Sequence, residues 1–202
     1  MTNIDEILEF WFGKGVHELD DPTIAGRQSG LWWGKSEATD NEIRHRFEPQ
    51  VQAAGAGKLD EWKASPEGWL ALILLLDQFP RNIYRDTSAM FRFDDQARAL
   101  CVEGVETGID ARLRPIQRVF FYLPLEHAES IDDQAWCVDL MRGLVHEVPE
   151  DQKQVFEGFV DFAEAHRRII DRFARFPHRN AILGRESTEE EVEFLKQPGS
   201  SF

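Results

Sequence analysis

Two short polar corners hold most of the residues in this sequence that could do chemistry. The first, DQFPRNIYR (77–85), carries Asp77, Gln78, Arg81, Asn82 and Arg85. The second, RFPHRN (175–180), carries Arg175, His178, Arg179 and Asn180. Each follows an apolar helical run and passes through Phe-Pro into Arg and Asn. Arginine's planar fork pairs bidentately with carboxylate or phosphate, so convergent arginines flanked by asparagines make an anion clamp. Asp77 follows Leu70 and Ile73 on a helix that is apolar on nearly every face. A carboxylate there is buried and must be paired or take up a proton. Arg81, one turn on, is the nearest partner; Arg175, Arg179 and His166 join it if the two corners meet.

Two histidines belong to the same question. His166 falls on an apolar stripe with Val155, Phe159, Phe162, Ile169, Ile170 and Phe173, so helix geometry aims it inward. His127 stands in YLPLEHAES beside Glu126 and Glu129. A histidine next to a carboxylate can serve as a general base with its orienter. The candidate catalytic residues are therefore His127, His166 and Asp77. The candidate ligand-binding set is Asp77, Gln78, Arg81, Asn82, Arg85, His127, His166, Arg175, His178, Arg179 and Asn180. No HExxH or paired HxH spacing supports a metal, and no GxSxG, Walker or Rossmann pattern is present. No metal or cofactor is expected. His17, His45 and His146 have polar neighbours and read as surface.

Net charge over the 202 residues is −14, which disfavours nucleic acid and anionic membranes. The charge is uneven. Between His166 and Arg185 stand six arginines (167, 168, 172, 175, 179 and 185) and one acid, Asp171. The stretch MTNIDEILEFWFG has no basic leader, no apolar run reaches the ~20 residues of a membrane span, and Cys101 and Cys137 are isolated in helical patterns. These features read as a cytoplasmic protein with two buried thiols.

The elements that must position these residues are helices throughout. Ile4, Ile7, Leu8 and Trp11 mark a first helix stopped by Gly13. Residues 14–37 read as a long loop ending in Trp32-Trp33, which are core packing or an aromatic wall over a pocket. Thr39-x-x-Glu42 reads as a capping box for a helix to about Ala54. Ser65-Pro66 opens the fully apolar helix that leads to the first corner. Asp94 reads as the cap of a helix ending near Gly108. Pro115 opens another, interrupted at Pro124; Ser130 opens the next. The longest runs from about Glu150 to Arg175. Ser187-x-x-Glu190 caps a short last helix before a frayed tail, 196–202. With no linker and no alternating strand, the expectation is one all-α domain over 1–202: an antiparallel array of seven to nine helices.

Several of these segments carry a resemblance. ILEFWFG (7–13), LWWGKSEATD (31–40), LALILLLDQFPRNIYRD (70–86), FFYLPLEHAES (120–130) with Gln134, and AHRRIIDRFARFPHRNAILGRESTEEEVEFL (165–195) resemble the bacterial domain of unknown function 924. The resemblance covers essentially the whole chain. It implies a tetratricopeptide-like helical fold and supplies no activity and no residue roles. Two departures stand out: glycine is usual where Ala174 stands, which suggests a relaxed close approach near Phe173, and Glu126 adds a charge beside His127.

Three functions fit this sequence. The corners could clamp a small anionic ligand or acidic peptide with Arg81, Arg85, Arg175 and Arg179. They could instead serve a hydrolase or lyase acting on a small anionic substrate, with His127 or His166 as base and Asp77 or Glu126 as its orienter. Or they could be interlocking helix caps, their arginines neutralised by carboxylates such as Glu126, Glu129, Asp132 and Asp133. Oligomeric state is not readable from the pattern.

Overall fold

The computed structural model describes residues 3–201; Met1, Thr2 and the last residue of the tail, Phe202, lie outside the described residues. Among those described there are α-helices and no strands: α1 Ile4–Phe12, α2 Asp21–Trp32, α3 Glu37–Gly55, α4 Pro66–Ile73, α5 Phe79–Ile83, α6 Asp94–Glu106, α7 Pro115–Glu126, α8 Ile131–Glu147, α9 Lys153–Phe173, α10 Asn180–Leu183 and α11 Glu189–Phe194. Helices α4 and α5 are one rod, joined by a π-helical turn at Leu74–Gln78. Counting the rod once gives ten helices. The number exceeds seven to nine because of α2 and the single turn of α10.

The rod is the centre of the molecule. Ser65 starts it, accepting the Gly68 N–H at 3.1 Å, with Pro66 at the first helical position. Every residue of LALILLLDQFP (70–80) is buried, and α1, α3, α6 and α7 pack around it. A helix apolar on all sides requires that environment. Proline explains its π turn. Pro80 has no N–H to offer the Leu76 carbonyl, and its ring would press on that same group. The chain answers by widening one turn, and the Phe79 N–H reaches back to Leu74 O. Asp77 and Gln78 sit in this widened turn.

Helices α7, α8 and α9 follow through short connections, and α8 packs along both neighbours, as successive antiparallel hairpins do. Pro124 does not interrupt α7: the helix continues to Glu126, and His127 stands at its C-cap, where its N–H bonds Leu123 O. The α9 stripe buries Phe156, Ala163, His166, Ile169 and Ile170, but Phe162 faces outward and is 59% exposed.

Several local expectations are corrected. The predicted loop at 14–37 contains α2, which Asp20 caps by accepting the Thr23 N–H at 2.7 Å. Asp21, beside it, is buried against Arg114 and the Ile116 N–H of α7. Asp20 and Asp21, which read as loop, are thus a cap and a tether, and Gly26 and Gly30 lie inside α2. Helix α3 starts one turn early, capped by Ser36 rather than by a Thr39 box. At α11 the capping box is Thr188 with Glu191. Of the predicted frayed tail, 196–202, the described part to Ser201 turns back, with buried Ser200 donating its hydroxyl to Leu195 O at 3.2 Å. Trp32 is buried and Trp33 exposed, and their ring contacts are with Phe12, Phe120 and Phe159.

Candidate functional site

Asp77 has no solvent exposure and is the hub of the polar interior. Its Oδ1 lies 2.7 Å from His127 Nδ1 and 3.5 Å from Arg81 Nη2, and its Oδ2 accepts from Gln78 Nε2 at 2.5 Å. Burial alone would raise the Asp77 carboxyl. His127, Arg81 and Gln78 together outweigh burial and hold it below the usual carboxylate range. The rod thus supplies the carboxylate, and the C-cap of α7 supplies the imidazole.

Arg81 does more than pair with Asp77. Its Nη2 donates to both oxygens of Asp94 at 3.0 and 2.9 Å, and its Nη1 donates to Met90 O at 3.0 Å. Asp94 is not a cap for α6; the residue at that position is Phe93, without a side-chain bond. Burial raises the Asp94 carboxyl despite Arg81, and the Asp77 charge adds to the rise.

The second corner reaches this cluster through Arg179. Its Nη1 donates to His127 O at 3.0 Å and lies 4.0 Å from Asp94 Oδ2. The guanidinium stacks over Phe176 at 4.4 Å and over Phe91 at 4.8 Å. Arg179 is 8% exposed, and its Nε has no hydrogen-bond partner. Burial, helped by the Arg81 charge, lowers its pKa to about 10.

Behind His127 lies a second histidine–carboxyl pair. His166 Nδ1 is 2.9 Å from Phe162 O and 3.3 Å from Glu126 Oε1, and its ring meets Phe176 edge-on at 5.7 Å. Burial lowers His166 to about 3. Burial, with the Asp77 charge second, raises Glu126 to about 8. At neutral pH both are uncharged, and a neutral Nδ1–H donating to Phe162 O fits that state. His178, beside Phe176, is lowered to about 4 by burial and then by Arg179.

The structure therefore brings Asp77, Gln78, Arg81, His127, His166, His178 and Arg179 together. It places the remaining candidates elsewhere. Arg85 and Asn82 both bond Asp40 of α3, with Arg85 Nε at 2.6 Å and Asn82 Nδ2 at 2.8 Å. Arg175 forks onto Glu191 at 2.6 and 2.7 Å, and Asn180 donates to Ser187 and Glu191. Arg185 forks onto Glu129 at 2.6 and 2.9 Å, while Asp133 pairs with Arg98. Much of the local arginine surplus is thus matched by carboxylates from other segments. Sequence reading missed Phe91, Asp94 and Phe176. Asp94 looked like a helix cap, and no spacing rule links it to an arginine on another helix. Among the described residues no His, Cys, Asp and Glu group could hold a metal ion.

Comparison with known proteins adds the lineage. The family model described as "Bacterial protein of unknown function (DUF924)" matches residues 7–199. The chain belongs to this family. A solved structure, that of the protein of unknown function ATU0120 from Agrobacterium tumefaciens, is 38% identical. It superposes with a TM-score of 0.78 over 96% of each chain, so the two proteins share this all-α architecture. No curated protein matched.

Proposed function

We propose that this protein binds a small anionic ligand, or the acidic side chains of a peptide, where Arg81, Arg179 and His127 meet above buried Asp77. The carrying observation is Arg179. It is a nine-tenths buried guanidinium whose Nε lacks a partner and whose nearest carboxylate, Asp94, stands at 4.0 Å. A buried cation paired this loosely is costly unless something anionic completes it. The tetratricopeptide-like hairpins implied by the family resemblance suit such a role, since arrays of this kind present concave binding surfaces. The buried free thiols Cys101 and Cys137 fit a reducing compartment, the cytoplasm.

The test is thermal unfolding with millimolar phosphate, sulfate or malonate. The melting temperature should rise with the anion, and Arg179→Ala should abolish the rise. Arg175→Ala, which breaks a pair outside the cluster, should retain it. No rise in the wild type overturns the proposal.

A second reading rests on the Asp77–His127 pair. A buried carboxylate bound to Nδ1 orients an imidazole and leaves Nε2 for general acid–base chemistry, as a hydrolase or lyase acting on an anionic substrate needs. His127→Ala should then remove turnover of carboxylate or phosphate esters, while the anion-dependent melting shift is weakened but kept by Arg81 and Arg179. A wild type inert toward those esters leaves binding as the function.

A further inference from the structure

The segment between Asp86 and Asp94 lies across the candidate site, and its contacts show what kind of molecule the site accepts. Arg81 gives Nη2 to the Asp94 carboxylate and Nη1 to the Met90 carbonyl. Phe91 lies under both guanidinium groups, 5.0 Å from Arg81 Cζ and 4.8 Å from Arg179 Cζ. One strap therefore presents a carboxylate and an aromatic ring to the same two arginines. Both pairings are ones arginine makes readily with ligands: a fork onto an oxyanion, and a planar stack on a π face. The strap begins at Asp86, a non-glycine residue held at φ 61, a left-handed conformation that stores local strain. Phe91 and Asp94 are only partly buried, so the strap covers the arginines from the solvent side.

Charge favours exchange over simple addition. Asp94 reaches both arginines, 2.9 Å from Arg81 and 4.0 Å from Arg179, and Asp77 faces Arg81 and His127, while Glu126 keeps its proton and His166 is neutral. A further anion added beside Asp94 would meet its charge. An anion replacing Asp94 would keep the balance and would also be free to approach the unpartnered Nε of Arg179.

We infer that residues 87–94 act as an internal stand-in for the ligand, and that the ligand is an oxyanion carried on a planar aromatic group, its anion replacing Asp94 and its ring replacing Phe91. This rests on the binding proposal above and narrows it to aryl carboxylates or aryl phosphates. Phe93 is anchored in the core, so residues 87–92 and the Asp94 side chain must swing aside for entry, and the apparent affinity is the intrinsic affinity multiplied by the fraction of time they stand open.

The experiment is calorimetric titration of phenylacetate and acetate into the wild type, Asp94→Asn, Phe91→Ala and the double variant, each checked for native helicity. Phenylacetate should bind the double variant about tenfold or more tightly than the wild type, as expected when an occluding conformer is removed. Acetate should gain from Asp94→Asn alone. Hydrogen exchange on the wild type keeps the inference testable if a variant misfolds: phenylacetate should increase exchange at 87–92. If acetate and phenylacetate bind equally and neither substitution changes them, the inference is overturned and anion binding survives. If no anion binds the wild type or any variant, both fall. A strap that stays protected under saturating phenylacetate also overturns the inference.

Discussion

The two Phe-Pro corners are near copies in sequence and do different work. At the second corner, most polar side chains end in closed pairs near the surface. Arg175 grips Glu191, Arg185 grips Glu129, and Asn180 bridges Ser187 and Glu191. Glu129 also accepts the Phe176 N–H at 2.8 Å. This corner is a clasp that fastens α9–α11 to the end of α7. The first corner is divided. Its outer half, Asn82 and Arg85, is another clasp onto Asp40. Its inner half, Asp77 and Arg81, enters the core and meets His127, Asp94 and Arg179. The difference teaches that a shared motif does not fix one backbone path: the first Phe-Pro lies inside the rod and the second follows the end of α9, and the role of the arginines depends on which carboxylates other helices deliver.

Asp77→Asn is the hardest blow to this contrast. It removes a fully buried charge that faces His127 and Arg81, so unfolding free energy should drop by about 3–5 kcal/mol. Chemical denaturation measures this, and a loss below about 1 kcal/mol would mean that charge does not hold the inner corner.

Glu126→Gln sharpens the comparison through pH. Glu126 titrates near 8 when folded and near the ordinary glutamate value when unfolded, so the native state binds the extra proton between those values. Stability from this group is therefore full at low pH and falls as pH rises toward 8. His166, lowered to about 3, acts oppositely below its unfolded value near 6.5 and contributes no slope above it. The wild type should lose stability between about pH 6.5 and 8 by this route, and Glu126→Gln should be flatter there and more stable at pH 8. Equal slopes in denaturation series at several pH values would contradict the buried, protonated Glu126.

The clasp should respond in the other direction. Glu191 is held near 2, first by Arg175, so its contribution is present at neutral pH and is lost as pH falls from the ordinary glutamate range toward 2. Glu191→Gln should cost about 1.5–3 kcal/mol, the scale of hydrogen bonds to a charged group. A cost matching that of Asp77→Asn would erase the distinction between corner and core.

The smallest effect is expected at Ala174, the C-cap of α9, held at φ 56. Glycine adopts the left-handed region without the Cβ penalty, so Ala174→Gly should stabilise by about 0.5–1 kcal/mol. The expected cause of the family's glycine, a close approach, is replaced by this backbone requirement. A destabilised variant would reverse that explanation.

Local rules made much of this molecule legible. Ser65-Pro66 predicted the start of the rod, the unbroken apolar run predicted its burial, and Asp77 within that run predicted a buried partner. His166 was placed inward by its stripe, and it is buried. Phe162 was placed on the same stripe and is exposed, because periodicity assigns a helix face and only the neighbours decide how wide a face they cover. Helix α2 was missed since Gly26, Ser29 and Gly30 are weak helix formers, and its tether through Asp21 to α7 spans most of a hundred residues.

By itself, the sequence determined the helical class, the central buried rod and the requirement that Asp77 find a partner; the end it suggested at Phe79-Pro80 is overturned, because a π turn lets the rod continue to Ile83. These follow from nearest-neighbour chemistry: capping, periodicity, proline's missing N–H and the cost of an unpaired buried charge. Only the tertiary structure decided which arginine reaches which carboxylate. Arg179 entered the Asp77 cluster while Arg85 and Arg175 left it, because each pairing joins different segments, 16 residues apart for Arg175–Glu191, 45 for Arg85–Asp40 and 52 for Arg179–His127. Long-range packing chose among partners that were locally equivalent.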